Sequence, residues 1–147
     1  MRIGFIGLGN VGGKLANNQF DLTVFDKNKE ILNDFELSGS KIASSITQLV
    51  ENTDLIITCL PSPEVCAEVL ESNIGIINSI QEGQIWMEMS TTDEEQLKKP
   101  AAMIEEKKAI ALEAPVSGGC HRAATGNISI FVVASFAILL GVIFDYF

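Results

Sequence analysis

The feature that most constrains this chain is a glycine-spaced loop near its start. Ile3-Gly4-Phe5-Ile6-Gly7-Leu8-Gly9-Asn10-Val11-Gly12 contains the pattern G-x-G-x-x-G. Glycines are common, so the pattern alone says little. Here a short apolar run, Arg2–Ile6, precedes it, and a helix is predicted from Gly12 to about Gln19. In that setting Gly7 permits a tight turn. Gly9 lets the backbone approach a pyrophosphate, and Gly12 lets the helix pack closely on the strand. The free amides and dipole of the helix start favour an anion. Gly7, Leu8, Gly9, Asn10, Val11 and Gly12 are therefore expected to hold a dinucleotide; the plainer alternative is an ordinary glycine turn. Leu22–Phe25 reads as a second strand ending at Asp26. A carboxylate there accepts from both ribose hydroxyls of NAD and repels a 2′-phosphate. The alternative is an ordinary strand-end Asp, and Lys27 and Asn28 soften the discrimination. The expected cofactor is NAD or NADP, with NAD slightly favoured.

Apolar periodicity extends the pattern. Helices are predicted over Lys27–Leu37, Ile46–Glu51, Glu64–Leu70 and Thr92–Lys108. Further strands are predicted over Leu55–Leu60, Ile85–Met89, Ala109–Glu113 and Ile128–Val133. Alternating strands and helices, with several strands apolar on both faces, imply a mainly parallel α/β sheet covered on both sides. Thr92 and Glu95 form a capping box. Pro100 lies eight residues further on and removes an amide donor, so a kink or split is expected there.

Composition narrows the function classes. The 147 residues, 47% hydrophobic and 20% charged, suffice for one domain with a real core. Net charge is −9, and residues 51–147 carry fourteen acids against five bases. Nucleic-acid binding is not expected of so acidic a chain. Three cysteines without a C-x-x-C pair indicate a reducing compartment, and a single histidine excludes a multi-His metal site. Met1–Ile6 is too short for a signal peptide, so the expected location is cytoplasmic. The stretch Ile128–Phe144 has no charge. It reads as a core strand followed by a buried or truncated helix. A membrane anchor giving a membrane-associated protein, or an accident of translation, are the alternatives.

Three stretches together resemble the β-hydroxyacid dehydrogenase family, which includes 3-hydroxyisobutyrate dehydrogenase and is related to 6-phosphogluconate dehydrogenase. They are Gly4–Gly12, Glu88-Met89-Ser90-Thr91-Thr92-Asp93, and Glu113-Ala114-Pro115-Val116-Ser117-Gly118-Gly119 followed by Ala123–Asn127. The resemblance covers residues 1–133, expected to form a dinucleotide-binding Rossmann-type, doubly wound domain; residues 134–147 form a divergent apolar tail. It implies that Leu60, Pro61 and Thr91 border the cofactor. It also implies that Ser117, Gly118 and Gly119 hold the carboxylate of a small hydroxy acid substrate. From the residues alone, Pro61 is equally a strand terminator, Thr91 a loop hydroxyl and the 117–119 segment a flexible loop. A Cys120-His121 nucleophile pair is disfavoured because adjacent side chains do not face each other.

The departures matter too. The family's general acid/base is a lysine on a helix of an all-helical second domain, and no lysine here occupies that motif. The first helix also reads about one turn short. The resemblance therefore implies a truncated member lacking the helical domain, binding cofactor with little turnover alone, from a family whose full-length members are homo-oligomers. A non-catalytic nucleotide-binding protein, tethered by the tail, is the alternative.

Overall fold

The computed structural model describes residues 1–16, 21–90 and 94–133. β1 (Ile3–Ile6) leads through the glycine loop into α1, described over Gly12–Leu15. β2 (Leu22–Phe25) follows, then α2 (Lys29–Leu37), β3 (Lys41–Ile42) and α3 (Ile46–Glu51). The second half runs β4 (Leu55–Thr58), α4 (Pro63–Glu71), α5 (Ile76–Ser79), β5 (Ile85–Glu88), α6 (Glu94–Glu106) and β6 (Ile110–Glu113). β7 (Val116–Ser117), α7 (Gly119–Ala124) and β8 (Ser129–Ile130) close the described fold.

Local chemistry sets the helix starts. Asn28, Ser45 and Ser62 are extended N-cap residues whose side chains accept from the amides of Glu30, Gln48 and Val65. Each satisfies one donor that the first turn leaves over, a stabilisation of about 1 kcal/mol. Pro63 adds a pre-set φ at the first position of α4, where no amide is needed.

Six strands form one parallel sheet in the order β3-β2-β1-β4-β5-β6. The chain builds outward from β1 to β3, then returns to place β4 on the other side of β1. That reversal makes a crevice at the C-terminal ends of β1 and β4. Both sheet faces are apolar, as expected for parallel strands. One carries Ile6, Ile56 and Trp86 against Leu49, Val50, Leu70, Ile76 and Ile104 of the helices. The other carries Phe5, Leu22 and Val24 against Ile31, Leu32 and Phe35 of α2.

Several expectations change. The sixth strand of the sheet is β3, two residues long, which leaves too little periodicity to read. Ile128–Val133 is not a full strand of that sheet: Ser129–Ile130 pairs antiparallel with β7 in a separate ribbon, and Val133 meets the sheet edge through a single antiparallel bridge to Glu113 of β6. The short helices α5 and α7 were not predicted. α6 is not split, because it runs unbroken through Pro100. The carbonyl of Gln96, four residues earlier, loses its helical donor there, but Gln96 lies on the exposed side where water can supply one. Thr92, the end of the first helix and the tail over 134–147 lie outside the described residues. Among the described residues no helix is long and apolar enough to cross a membrane.

The starts of β1 and β4 are clamped together. The Arg2 amide donates to Asp54 Oδ2 at 2.7 Å, its guanidinium donates to Oδ1 at 2.7 Å, and the Asp54 amide returns a bond to the Arg2 carbonyl at 2.8 Å. The Arg2 guanidinium and amide hold the Asp54 carboxyl down to about 2. A depressed carboxyl stabilises the fold above its unfolded value, and the gain disappears as pH falls toward the native value. Both side chains are about half exposed (53% and 42%), which limits the gain to under about 1 kcal/mol. Asp54→Asn is expected to flatten the loss of stability between pH of about 4 and 2 in urea melts, with little change at pH 7.

Candidate functional site

The crevice at the switch point is a cleft of about 780 Å³. Its floor is the loop after β1. Gly7 has φ +94°, and a β-carbon there would strike the Cys59 carbonyl oxygen. A β-carbon on Gly12 would strike the Gly7 carbonyl oxygen, so glycine at 12 is what lets α1 sit on the turn. Gly9 differs. Its φ is not in the left-handed region, and a β-carbon there would meet nothing within 4 Å. Nothing in the described fold demands glycine at 9, and the space beside it is open to a close external group. The amides of Asn10, Val11 and Gly12 line or adjoin the same space and donate to no acceptor among the described residues. Unpaired donors beside an open glycine suit an anion.

Asp26 sits at the end of β2 and lines the cleft. Its carboxylate is fixed by two main-chain donors: the Leu8 amide to Oδ2 at 2.7 Å and the Asn28 amide to Oδ1 at 2.8 Å. Each oxygen has two lone pairs, so capacity for a diol remains. Leu8 is placed differently from the rest of the loop. Its side chain is buried in the core and its amide is committed to Asp26, leaving no proton for a phosphate.

The opposite wall follows β4 and β5. Leu60 and Pro61 line the cleft, with Cys59, Met89 and Ser90. Burial pushes the Cys59 thiol up to about 11, so it stays protonated and unreactive. Beneath this wall lies a polar network that sequence reasoning passed over. Trp86 Nε1 donates to Thr58 Oγ1 at 2.9 Å, and Thr58 Oγ1 donates to Glu88 Oε2 at 2.8 Å. The Ser90 amide donates to Glu88 Oε1 at 2.8 Å, and the Leu60 amide donates to Ser90 Oγ at 2.7 Å. Glu88 is 1% exposed. A carboxylate ending an otherwise apolar strand was the available signal. Of the third motif, Val116 and Gly119 line the cleft, whereas Ser117 and Gly118 are exposed beside it. Thr91 lies outside the described residues.

A parallel sheet in this strand order, with an anion-suited glycine turn and a strand-end carboxylate at its switch point, defines a dinucleotide-binding α/β domain. The sequence profile of the NAD binding domain of 6-phosphogluconate dehydrogenase matches residues 2–139, and the chain belongs to that family. Mouse mitochondrial 3-hydroxyisobutyrate dehydrogenase is 35% identical over 134 residues, covering 88% of this chain and 40% of that protein. The chain thus spans about two fifths of the curated relatives it matches. A structure of Psf3 in complex with NADP+ and 2-OPP aligns with TM-score 0.89 at 25% identity, covering 97% of this chain and 52% of that one. Mycobacterium tuberculosis 3-hydroxyisobutyrate dehydrogenase with L-serine aligns at TM-score 0.82 and 25% identity, covering 95% and 49%. The chain is therefore an NAD(P)-binding Rossmann domain of the 6-phosphogluconate dehydrogenase type, similar in sequence to part of the 3-hydroxyisobutyrate dehydrogenases.

Burial raises the Glu88 carboxyl, and it outweighs the bonds from Ser90 and Thr58 that favour the ionised form. A raised carboxyl contributes less stability as pH climbs from its unfolded value to its native one, opposite in sign to Asp54. Glu88→Ala strips the acceptor from the Ser90 amide and the Thr58 hydroxyl, costing about 1–3 kcal/mol. Urea melts are expected to show that loss, together with removal of the pH-dependent contribution.

Proposed function

We infer that residues 1–133 form the coenzyme half of an oxidoreductase acting on a small hydroxy acid of the 3-hydroxyisobutyrate type, or the related semialdehyde. The observation that carries the coenzyme site is Gly9, a glycine that neither backbone nor packing requires, facing amides without acceptors. The amides of Asn10, Val11 and Gly12 receive the diphosphate. Gly7 and Gly12 shape the turn, and Asp26 accepts from the ribose hydroxyls, its carboxylate already oriented by Leu8 and Asn28. Leu60 and Pro61, held by the Ser90 hydroxyl, form the apolar wall that keeps water from the reacting face; the resemblance adds Thr91 to the coenzyme's border. Nicotinamide coenzymes supply reversible hydride transfer when bound. Ser117, Gly118 and Gly119 receive the substrate carboxylate, with Gly119 at the cleft and Gly118 held at φ +131°. The substrate class rests on the likeness to the mouse and mycobacterial dehydrogenases, and on that third motif.

Binding is tested by titrating NADH into the pure protein and following fluorescence and calorimetric heat. A saturable signal is expected below millimolar concentration. Gly9→Val is expected to abolish it while leaving the melting temperature within a few degrees, because the new side chain enters open space. Binding that survives this substitution refutes the assignment of the phosphate site.

Proton transfer has no evident agent in the described cleft. Lys27 is the lysine lining it, and its ammonium is paired with Glu68 at 2.7 and 2.8 Å. The 147-residue chain is therefore expected to bind coenzyme with little or no turnover alone. NADH production from 3-hydroxyisobutyrate measures this; robust turnover would overturn it.

A further inference from the structure

The geometry points to Glu68 as a residue that sets selectivity between the two nicotinamide coenzymes, by holding Lys27 away from a 2′-phosphate. The inference rests on the coenzyme reading of the cleft. Lys27 directly follows Asp26, and both line the cleft at the end of β2. An ammonium beside a ribose-binding carboxylate is suited to a 2′-phosphate, a strongly charged group that attracts cations. In this chain the ammonium is not available. Both Glu68 oxygens accept from Lys27 Nζ, at 2.7 and 2.8 Å.

Glu68 is placed for this by α4. Cys66, Val69 and Leu70 of that helix are buried, which fixes the backbone, while Val65 and Val69 on either side of Glu68 line the cleft. The ion pair thus joins the ribose end of the cleft to the helix that forms its wall. Asp26, Lys27 and Glu68 together carry two negative charges and one positive, so the region opposes an added phosphate and accepts a diol. Without Glu68 the same region becomes neutral and the lysine is free to turn inward. A free Lys27 would soften the Asp26 preference; the ion pair with Glu68 removes that softening.

The pair is more than half exposed on both sides (66% and 57%), so its substitution leaves the core intact and its electrostatic effect is modest. Glu68→Gln keeps the shape and removes the charge. The test titrates NADH and NADPH separately into wild type, Glu68→Gln and the double variant Lys27→Met with Glu68→Gln. The NADPH-to-NADH affinity ratio is expected to rise about fivefold in Glu68→Gln, the scale of an exposed ion pair. It is expected to return to the wild-type ratio in the double variant. An unchanged ratio in Glu68→Gln overturns the inference while leaving the coenzyme reading intact. A rise that persists without Lys27 also overturns it, because removal of a negative charge would then suffice. Wild-type protein that binds neither coenzyme brings down the coenzyme reading itself, and this inference with it.

Discussion

The separation between α1 and β1 is set by the contact of Gly12 with the Gly7 carbonyl oxygen, and the site is assembled around that contact. A β-carbon at 12 has no space, and Gly7 itself occupies a left-handed conformation against the Cys59 carbonyl. Three segments, the ends of β1 and β4 and the start of α1, are thereby brought to backbone contact. Only when they are this close do the amides at the helix start face the switch point of the sheet. Asp26 then closes the arrangement from β2, since its carboxylate accepts from the Leu8 amide inside the same turn. The loop is fixed by covalent geometry and hydrogen bonds before any ligand arrives, which lowers the ordering cost of binding.

The other wall is stabilised differently. There a buried carboxylate organises its surroundings: Glu88 draws in the Thr58 hydroxyl and the Ser90 amide, and Ser90 in turn receives the Leu60 amide. No buried side-chain nitrogen or oxygen among the described residues lacks a partner. A fully satisfied network of this kind fixes loop geometry, because any shift of the 60–61 segment strands a donor in a dry interior. The cleft thus has one wall set by steric exclusion at glycines and another set by polar satisfaction.

Under the proposed function these walls account for the coenzyme side of a two-substrate reaction. The substrate side rests on the 117–119 loop alone, at the margin of the cleft, and the chain spans about two fifths of the mouse dehydrogenase.

Much of the architecture was legible because it is encoded at short range. Strands β1, β2, β4, β5 and β6 announce themselves as apolar runs, and α2, α3 and α4 as apolar spacing with a polar cap. The loop from Gly7 to Gly12 declares a steric requirement that few other residues meet. What could not be read locally depends on residues distant in the chain. β3 is two residues long and takes its place only by pairing with β2. Ser129–Ile130 looks like any sheet strand until its partner proves to be β7. Leu8 belongs to the apparent phosphate loop, yet packing turns its side chain to the core and its amide to Asp26. The Thr58–Glu88 bond spans thirty residues and the Lys27–Glu68 pair forty-one. Periodicity and steric limits act between neighbours, so the order of residues settles them. Hydrogen bonds and ion pairs between remote side chains exist only once the sheet has brought strand ends together, and folding alone chooses among them.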